Sequence, residues 1–181
     1  KKFPRETMRR ELARTAGNIG SGSNFDYSVL SLASTRQNFD RSWEIFTDIA
    51  LNPAFAADDI ELTREKILTG LRSDQDDPDG FLQVLVDKTI NEKTAYQNKP
   101  GGTIENITKL KTEDLRAYHQ KVMHTSKLLL IIVGDLDAAA LQQRIADSFG
   151  KLPRGDYKEV ALPIFDFSKP TLDITSRNLP T

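Results

Sequence analysis

Two histidines, His119 and His124, come first, because a neutral imidazole can ligate a metal or move a proton. They stand five positions apart, which on a helix sets them roughly 140° from one another, not on one face. No carboxylate lies between them, so neither half of a His-x-x-x-His zinc pair is formed, and both read as surface or helix-terminal residues. Asp74, Asp76, Asp77 and Asp79 form an acidic cluster of the kind that could attract Ca²⁺. They lack the twelve-residue order, with Gly at the sixth place and Glu at the twelfth, of a helix–loop–helix calcium site. Helix-stop and helix-start chemistry accounts for them better, with Pro78 and Asp79 opening the next helix. Ser21-Gly22-Ser23 is too short for a phosphate cradle, which needs a longer glycine pattern and a Lys after a strand. No serine stands in a pattern that nominates a catalytic pair with a histidine. Read from the residues alone, the chain carries no legible catalytic apparatus.

The elements that would hold a site come from periodicity. "FPRETMRRELARTAG" predicts a helix with Pro4 near its start and Gly17 as its stop. "NIGSGSNFDYSVLSLAST" opens Gly/Ser-rich and extended, then alternates Tyr27, Val29 and Ser31 against Ser28, Leu30 and Leu32, giving two adjacent strands or one bent one. In "NFDRSWEIFTDIALNP" a helix buries Phe39, Trp43, Phe46 and Ile49 or Ala50 and ends at Asn52-Pro53. "IELTREKILTGLRSDQDDP" is a further amphipathic helix, with Asp58 or Asp59 expected to cap its start and "SDQDDPDG" to break the chain after it. "FLQVLVDKTINEK" is helical, "TAYQNKPGG" a loop, and Thr112 is expected to cap "EDLRAYHQKVM". The unbroken apolar run "KLLLIIVGD" predicts a central strand over Leu128–Val133, covered on both faces. "DAAALQQRIADSFG" is a helix closed by Gly150, the Pro-bearing "LPRGDYKEVALPIFDFSKP" a linker, and "TLDITSR" a last strand. The mixture predicts an α/β or α+β two-layer domain with helices on one face of a sheet.

One residue stands out within these elements. Gly70 interrupts a strong helix, where glycine costs roughly 1 kcal/mol relative to alanine. Close helix packing, a tolerated defect, or an absent functional side chain would each account for it.

With 181 residues, 38% of them hydrophobic, the chain can bury a core, as one domain or one domain plus a tail. The 25 basic and 26 acidic residues leave a net charge of -1 with no block of one sign, so no nucleic-acid or anionic-membrane footprint is expected. The longest apolar run, Leu128 to Val133, is far short of the roughly 18 residues of a membrane span. No signal peptide is legible. The chain starts at Lys1 without Met and is expected to be a piece of a longer protein, so a missing targeting segment leaves the compartment open. The absence of Cys excludes disulfides, thiolate metal sites and a cysteine nucleophile.

The order of segments adds a resemblance. "NPAFAADDIELTREKILTGLRSDQDDP", then "TAYQNKPGGTIENITKLKTEDLRAYHQKVMHTSKLLLIIVGDLD", then "FGKLPRG" resembles the insulinase/pitrilysin family of zinc metallopeptidases, which includes the mitochondrial processing peptidases. "FPRETMRRELARTAGNIGSGSNFDYSVLSLAS" is similar to the segment that follows the family's metal-binding helix. The resemblance implies an α+β, two-layer domain with a mixed β-sheet covered by helices, over residues 1–155, the N-terminal part of this domain being absent. Residues 156–181 are then expected to be a linker and the first strand of a following domain. It implies a whole protein in which two or more such domains close around a peptide.

Competent members carry His-x-x-E-His, with two zinc ligands and the general base, plus a downstream helical Glu as third ligand. The chain has no His-x-x-E-His, and the resemblance sets Gly70 where the ligand Glu would stand, a vacated metal-ligand position without an oxygen donor. No cofactor is expected in this chain, and zinc is expected in a catalytic domain or partner. The family's substrate-binding edge strand matches Ile19, Gly20, Ser21 and Gly22, where the small Gly and Ser side chains leave backbone N–H and C=O groups open to a peptide. The resemblance therefore implies a non-catalytic, peptide-enclosing domain or subunit, inactive alone, with a catalytic peptidase domain or subunit and an unfolded peptide as partners. Two other readings stand beside it: a fragment of an active endopeptidase whose His-x-x-E-His lies upstream of Lys1, and a non-proteolytic scaffold. Family habit suggests a bacterial periplasm or cell envelope.

Overall fold

Aromatic residues at helical spacing build the main core. In the computed structural model, which describes residues 2–92 and 94–159 and positions 161, 164, 172, 174 and 176, the helix α2 (Phe39–Leu51) turns Trp43, Ile45 and Phe46 inward. Trp43 lies tilted against Phe39 at 5.7 Å and Phe46 at 5.9 Å, and meets Phe149 edge-on at 5.9 Å. As expected, the helix stops before Asn52-Pro53. Ile45 is fully buried and Asp48 nearly so, while Ile49 and Ala50 are only half-buried.

The described chain falls into two compact units, Lys1–Ile60 with Lys111–Tyr157, and Glu61–Leu110 with Lys158–Thr181. The first unit contains α1 (Arg5–Arg14), β1 (Asn18–Ser23), β2 (Ser28–Ala33), α2, α6 (Thr112–Val122) and α7 (Ala138–Asp147). Its α1 ends with Ala16 in the left-handed region, φ 49, while the Gly17 N–H donates to the Leu12 carbonyl at 2.9 Å. Gly17 serves packing, since a β-carbon there would lie 3.2 Å from Leu12 Cδ2 and from Ser42 Oγ. Arg41 of α2 donates to Glu11 of α1 at 2.9 Å, and Arg144 of α7 pairs with Asp40 of α2 at 2.8 Å. Ser34, just past β2, shares a 2.8 Å hydrogen bond with Ser42 of α2.

The helix α3 (Ala57–Asp76) begins in the first unit and continues into the second. The second unit also holds α4 (Pro78–Ile90) and α5 (Ile104–Lys109). Asp77 N-caps α4 by accepting from the Gly80 N–H at 2.6 Å, with Pro78 in the first turn. That is the helix-stop and helix-start chemistry expected of the acidic cluster, although α3 runs further into "SDQDD" than the composition suggested. Arg64 donates to the carbonyls of Ile107 and, at 2.7 Å, Leu110, satisfying acceptors that the end of α5 leaves without helical partners.

The α+β class holds, and within it the structure corrects four expectations. Among the described residues the sheet is a two-stranded antiparallel hairpin, not a mixed sheet. Leu128–Val133 forms neither strand nor helix and is largely exposed, because no neighbouring strand among the described residues takes up its backbone groups. Asp58 and Asp59 sit inside the first turn of α3, where they suit the positive helix end without being the cap. The N-cap of α6 is Lys111, one residue before Thr112, and Asp114 reaches back to accept the Lys111 N–H at 2.8 Å. The short α5, capped by the Thr103 hydroxyl, was not foreseen. "TLDITSR" lies mostly outside the described residues.

Candidate functional site

The hairpin that carries Ile19–Gly22 is built from its turn outward. Asn24 accepts the N–H groups of Asp26 and Tyr27 at 2.9 Å each through its side chain, and its own N–H donates to the Tyr27 carbonyl at 3.0 Å. This fixes the register, with Ile19 opposite Leu32, Gly20 opposite Ser31, Ser21 opposite Leu30 and Gly22 opposite Val29. Leu30 and Leu32 are the less exposed residues of β2, as the alternation in the sequence required.

With two strands in the sheet, β1 has β2 on one side and a second ladder edge that no described strand occupies. Ser21, Gly22 and Ser23 are exposed, and Ile19 and Gly20 half-buried. At Gly20 the space is tight, since a β-carbon there would stand 3.0 Å from Ser31 Oγ and the hydroxyl would have to give way by a few tenths of an ångström. Gly22 is roomier, with Val29 Cγ1 at 3.8 Å from the same position. The edge can therefore offer N–H and C=O groups to an extended chain with little side-chain obstruction.

Gly70 lies on the exposed side of α3, and a β-carbon built on it meets nothing within 4 Å. Close packing is thereby removed as the reason for glycine. On the same helix Glu61 is engaged by Arg64 at 3.1 Å. The two histidines have structural posts. His119 Nε2 donates to the Ala50 carbonyl at 2.8 Å, and its ring meets Phe55 edge-on at 5.9 Å, Phe55 holding a left-handed backbone with φ 48. His124 Nδ1 hydrogen-bonds the Lys121 carbonyl at 3.2 Å. Among the described residues no three His, Asp or Glu side chains converge as a metal site. Gly70 brings no side-chain donor atom to a metal, and each histidine keeps one ring nitrogen on a backbone carbonyl and the other outside that bond.

The first unit also has an open cavity of about 460 Å³ between α2 and α6, walled by Leu51, Pro53, Phe55, Met123 and Leu152. Arg116 and His119 are its ionisable lining residues, so it holds no carboxylate or hydroxyl that could act with the imidazole as an acid–base or nucleophile–base pair. Sequence reasoning passed over Asp48, Glu11 and Arg64. Each binds elements distant in sequence, for which no local pattern exists.

Residues 1–104 match the family described as insulinase (peptidase family M16), and residues 109–181 match the family described as the peptidase M16 inactive domain. The chain is 26% identical over 129 residues to a Bacillus subtilis protein named uncharacterized zinc protease YmfH, covering 71% of this chain and 30% of that protein. It is 25% identical over 140 residues to the non-peptidase homolog YmxG of Helicobacter pylori, covering 77% of this chain and 32% of that protein. The chain thus spans about a third of the length of these relatives. The fold is similar to a crystal structure of a peptidase M16 inactive domain from Pseudomonas fluorescens, with TM-score 0.82 and 19% identity over 90% of this chain and 40% of that one. It is also similar to the periplasmic protease PqqL of Escherichia coli, with TM-score 0.71 and 18% identity over 92% of this chain and 19% of that one.

Proposed function

The chain belongs to the insulinase family, peptidase family M16, as a non-catalytic part of such a protein, and on that premise we propose that it helps to enclose and bind an unfolded peptide. The observation that carries the proposal is the open edge of β1, where Ile19, Gly20, Ser21 and Gly22 present backbone groups and all but Ile19 have small side chains. A peptide added there gains main-chain hydrogen bonds with little dependence on its sequence, which suits a domain that receives many extended substrates.

Cleavage belongs to a catalytic domain or subunit of the same family, which brings His-x-x-E-His and the zinc. When bound, that metal polarises the scissile carbonyl and activates a water. This chain's part is binding and alignment, because Gly70 supplies no ligand at the position where the family pattern sets a Glu. Residues 1–155 are the enclosing domain and 156–181 the lead into the next. The location proposed is the bacterial periplasm or envelope, in keeping with the periplasmic neighbour.

The experiment is a titration of the protein with a fluorescent, unstructured peptide, followed by the same peptide with a His-x-x-E-His-bearing partner. Binding without hydrolysis, and faster turnover by the partner, are expected. Hydrolysis by a longer form of this polypeptide that includes its own His-x-x-E-His would favour a fragment of an active peptidase, the reading suggested by the relative named a zinc protease. Failure to bind either peptide or partner would leave a non-proteolytic scaffold.

A further inference from the structure

The cavity between α2 and α6 has a cation at one end and apolar walls beyond it, and we propose that it binds a small monocarboxylate with an unbranched apolar tail. Arg116, His119, Gln120 and Met123 follow one another at i, i+3, i+4 and i+7, so all four lie on one face of α6 and its C-cap and line the cavity. Arg116 and Met123 stand seven positions apart, a rise of roughly 10 Å along the helix. A guanidinium thus marks one end of the lining and a thioether the other.

The walls are held in place. His119 Nε2 donates to the Ala50 carbonyl near the end of α2 at 2.8 Å, and its ring meets Phe55 edge-on at 5.9 Å. Phe55 keeps φ 48, a backbone state that a bulky residue holds only where its surroundings fix it. The Pro153 carbonyl accepts the Thr125 N–H at 2.9 Å, which ties the wall at Leu152 to the chain just past α6. Leu51, Pro53, Phe55, Met123 and Leu152 are nevertheless only half-buried, so an apolar tail laid on them removes surface from water. At about 460 Å³ the space has the size and the mostly apolar lining of a small-molecule site.

The charge of the ligand follows from Arg116. Its side chain is exposed and makes no ion pair or hydrogen bond among the described residues. No carboxylate lines the cavity to compete for the guanidinium fork, which can hold both oxygens of a carboxylate at once. Gln120, one turn further on, adds a carboxamide donor. The helix sets the orientation. Carbonyls left open at the C-terminal end of α6 repel an anion, so the tail lies toward Met123 and the carboxylate at Arg116. A cationic ligand would be repelled by Arg116, and a neutral one would gain nothing from its charge.

The test is calorimetric titration of octanoate, and of 1-octanol as its neutral counterpart, into the full-length protein that contains this chain. Methyl NMR locates the ligand. One octanoate bound per chain, with shifts at Leu51, Met123 and Leu152, is the expected result. Arg116→Gln, an exposed helical change whose folding circular dichroism checks, should weaken octanoate about tenfold or more and leave octanol unaffected. Absence of octanoate binding, octanol bound as tightly as octanoate, or equal octanoate affinity in parent and variant would each overturn the proposal. Shifts at Ile19 and Val29 in place of the cavity methyl groups would assign octanoate to the hairpin and would also overturn it. Peptide binding at β1 is read with another ligand on another element, so the two proposals can fail separately.

Discussion

The carboxylate of Asp48 accepts the backbone N–H of Phe3 at 3.0 Å and that of Lys2 at 2.7 Å, fastening the start of the chain to the last turn of α2. Asp48 and Phe3 are both buried, and the Arg41 guanidinium covers the Phe3 ring at 4.7 Å. The entry into α1 is therefore set by one acidic side chain from a distant helix.

Asp48→Ala should cost about 2–3 kcal/mol, because it leaves the buried Phe3 N–H and the part-buried Lys2 N–H without an acceptor. Chemical denaturation of the variant beside the parent measures it, and a loss under half a kilocalorie would mean that the contact is dispensable.

Gly70→Ala should stabilise the chain by about 1 kcal/mol, since the position is exposed, helical and free of neighbours. Gly70→Glu should neither confer stoichiometric zinc after dialysis nor start peptide cleavage, because one carboxylate does not make a three-ligand site. Elemental analysis and a peptidase assay read the two results. One zinc held per chain would mean that the family register around Gly70 has been misassigned.

Glu11 is held below the ordinary glutamate value of 4.5, first by its hydrogen bond from Arg41 and then by that from Arg14. A depressed carboxylate stabilises the fold above its unfolded pKa, and this contribution is lost as pH falls through the lower folded value. The parent should therefore lose stability more steeply than Glu11→Gln as pH is lowered from the ordinary value through that range. Thermal melts of both proteins across that interval decide it, and parallel curves would show that the pair is screened out.

Gly20→Val should abolish peptide binding, because its β-carbon must push against Ser31 Oγ at 3.0 Å and its methyl groups crowd the edge. Gly22→Ala, with 3.8 Å to Val29, should bind nearly as the parent does. Circular dichroism confirms folding in each case. Equal loss in both variants would point to a backbone-wide effect, and equal binding would remove β1 from the peptide site.

What the sequence determined by itself was local in origin. Helical spacing of Phe39, Trp43 and Phe46 dictated α2 and its buried face, and Asp77-Pro78 dictated the start of α4. The Gly/Ser stretch followed by alternation dictated the hairpin of β1 and β2. Such features need only neighbours in the chain, because capping, turns and periodicity act within a few residues. The order of segments also carried the family, and with it the missing His-x-x-E-His. Tertiary structure alone decided the rest. It showed open space where a β-carbon on Gly70 would stand, which no pattern in α3 could reveal, and it brought Asp48 to Phe3 and Arg41 to Glu11. The apolar run Leu128–Val133 marks the limit most clearly. Its composition dictates an extended backbone suited to burial, but pairing depends on a strand distant in sequence, and no described strand lies beside it.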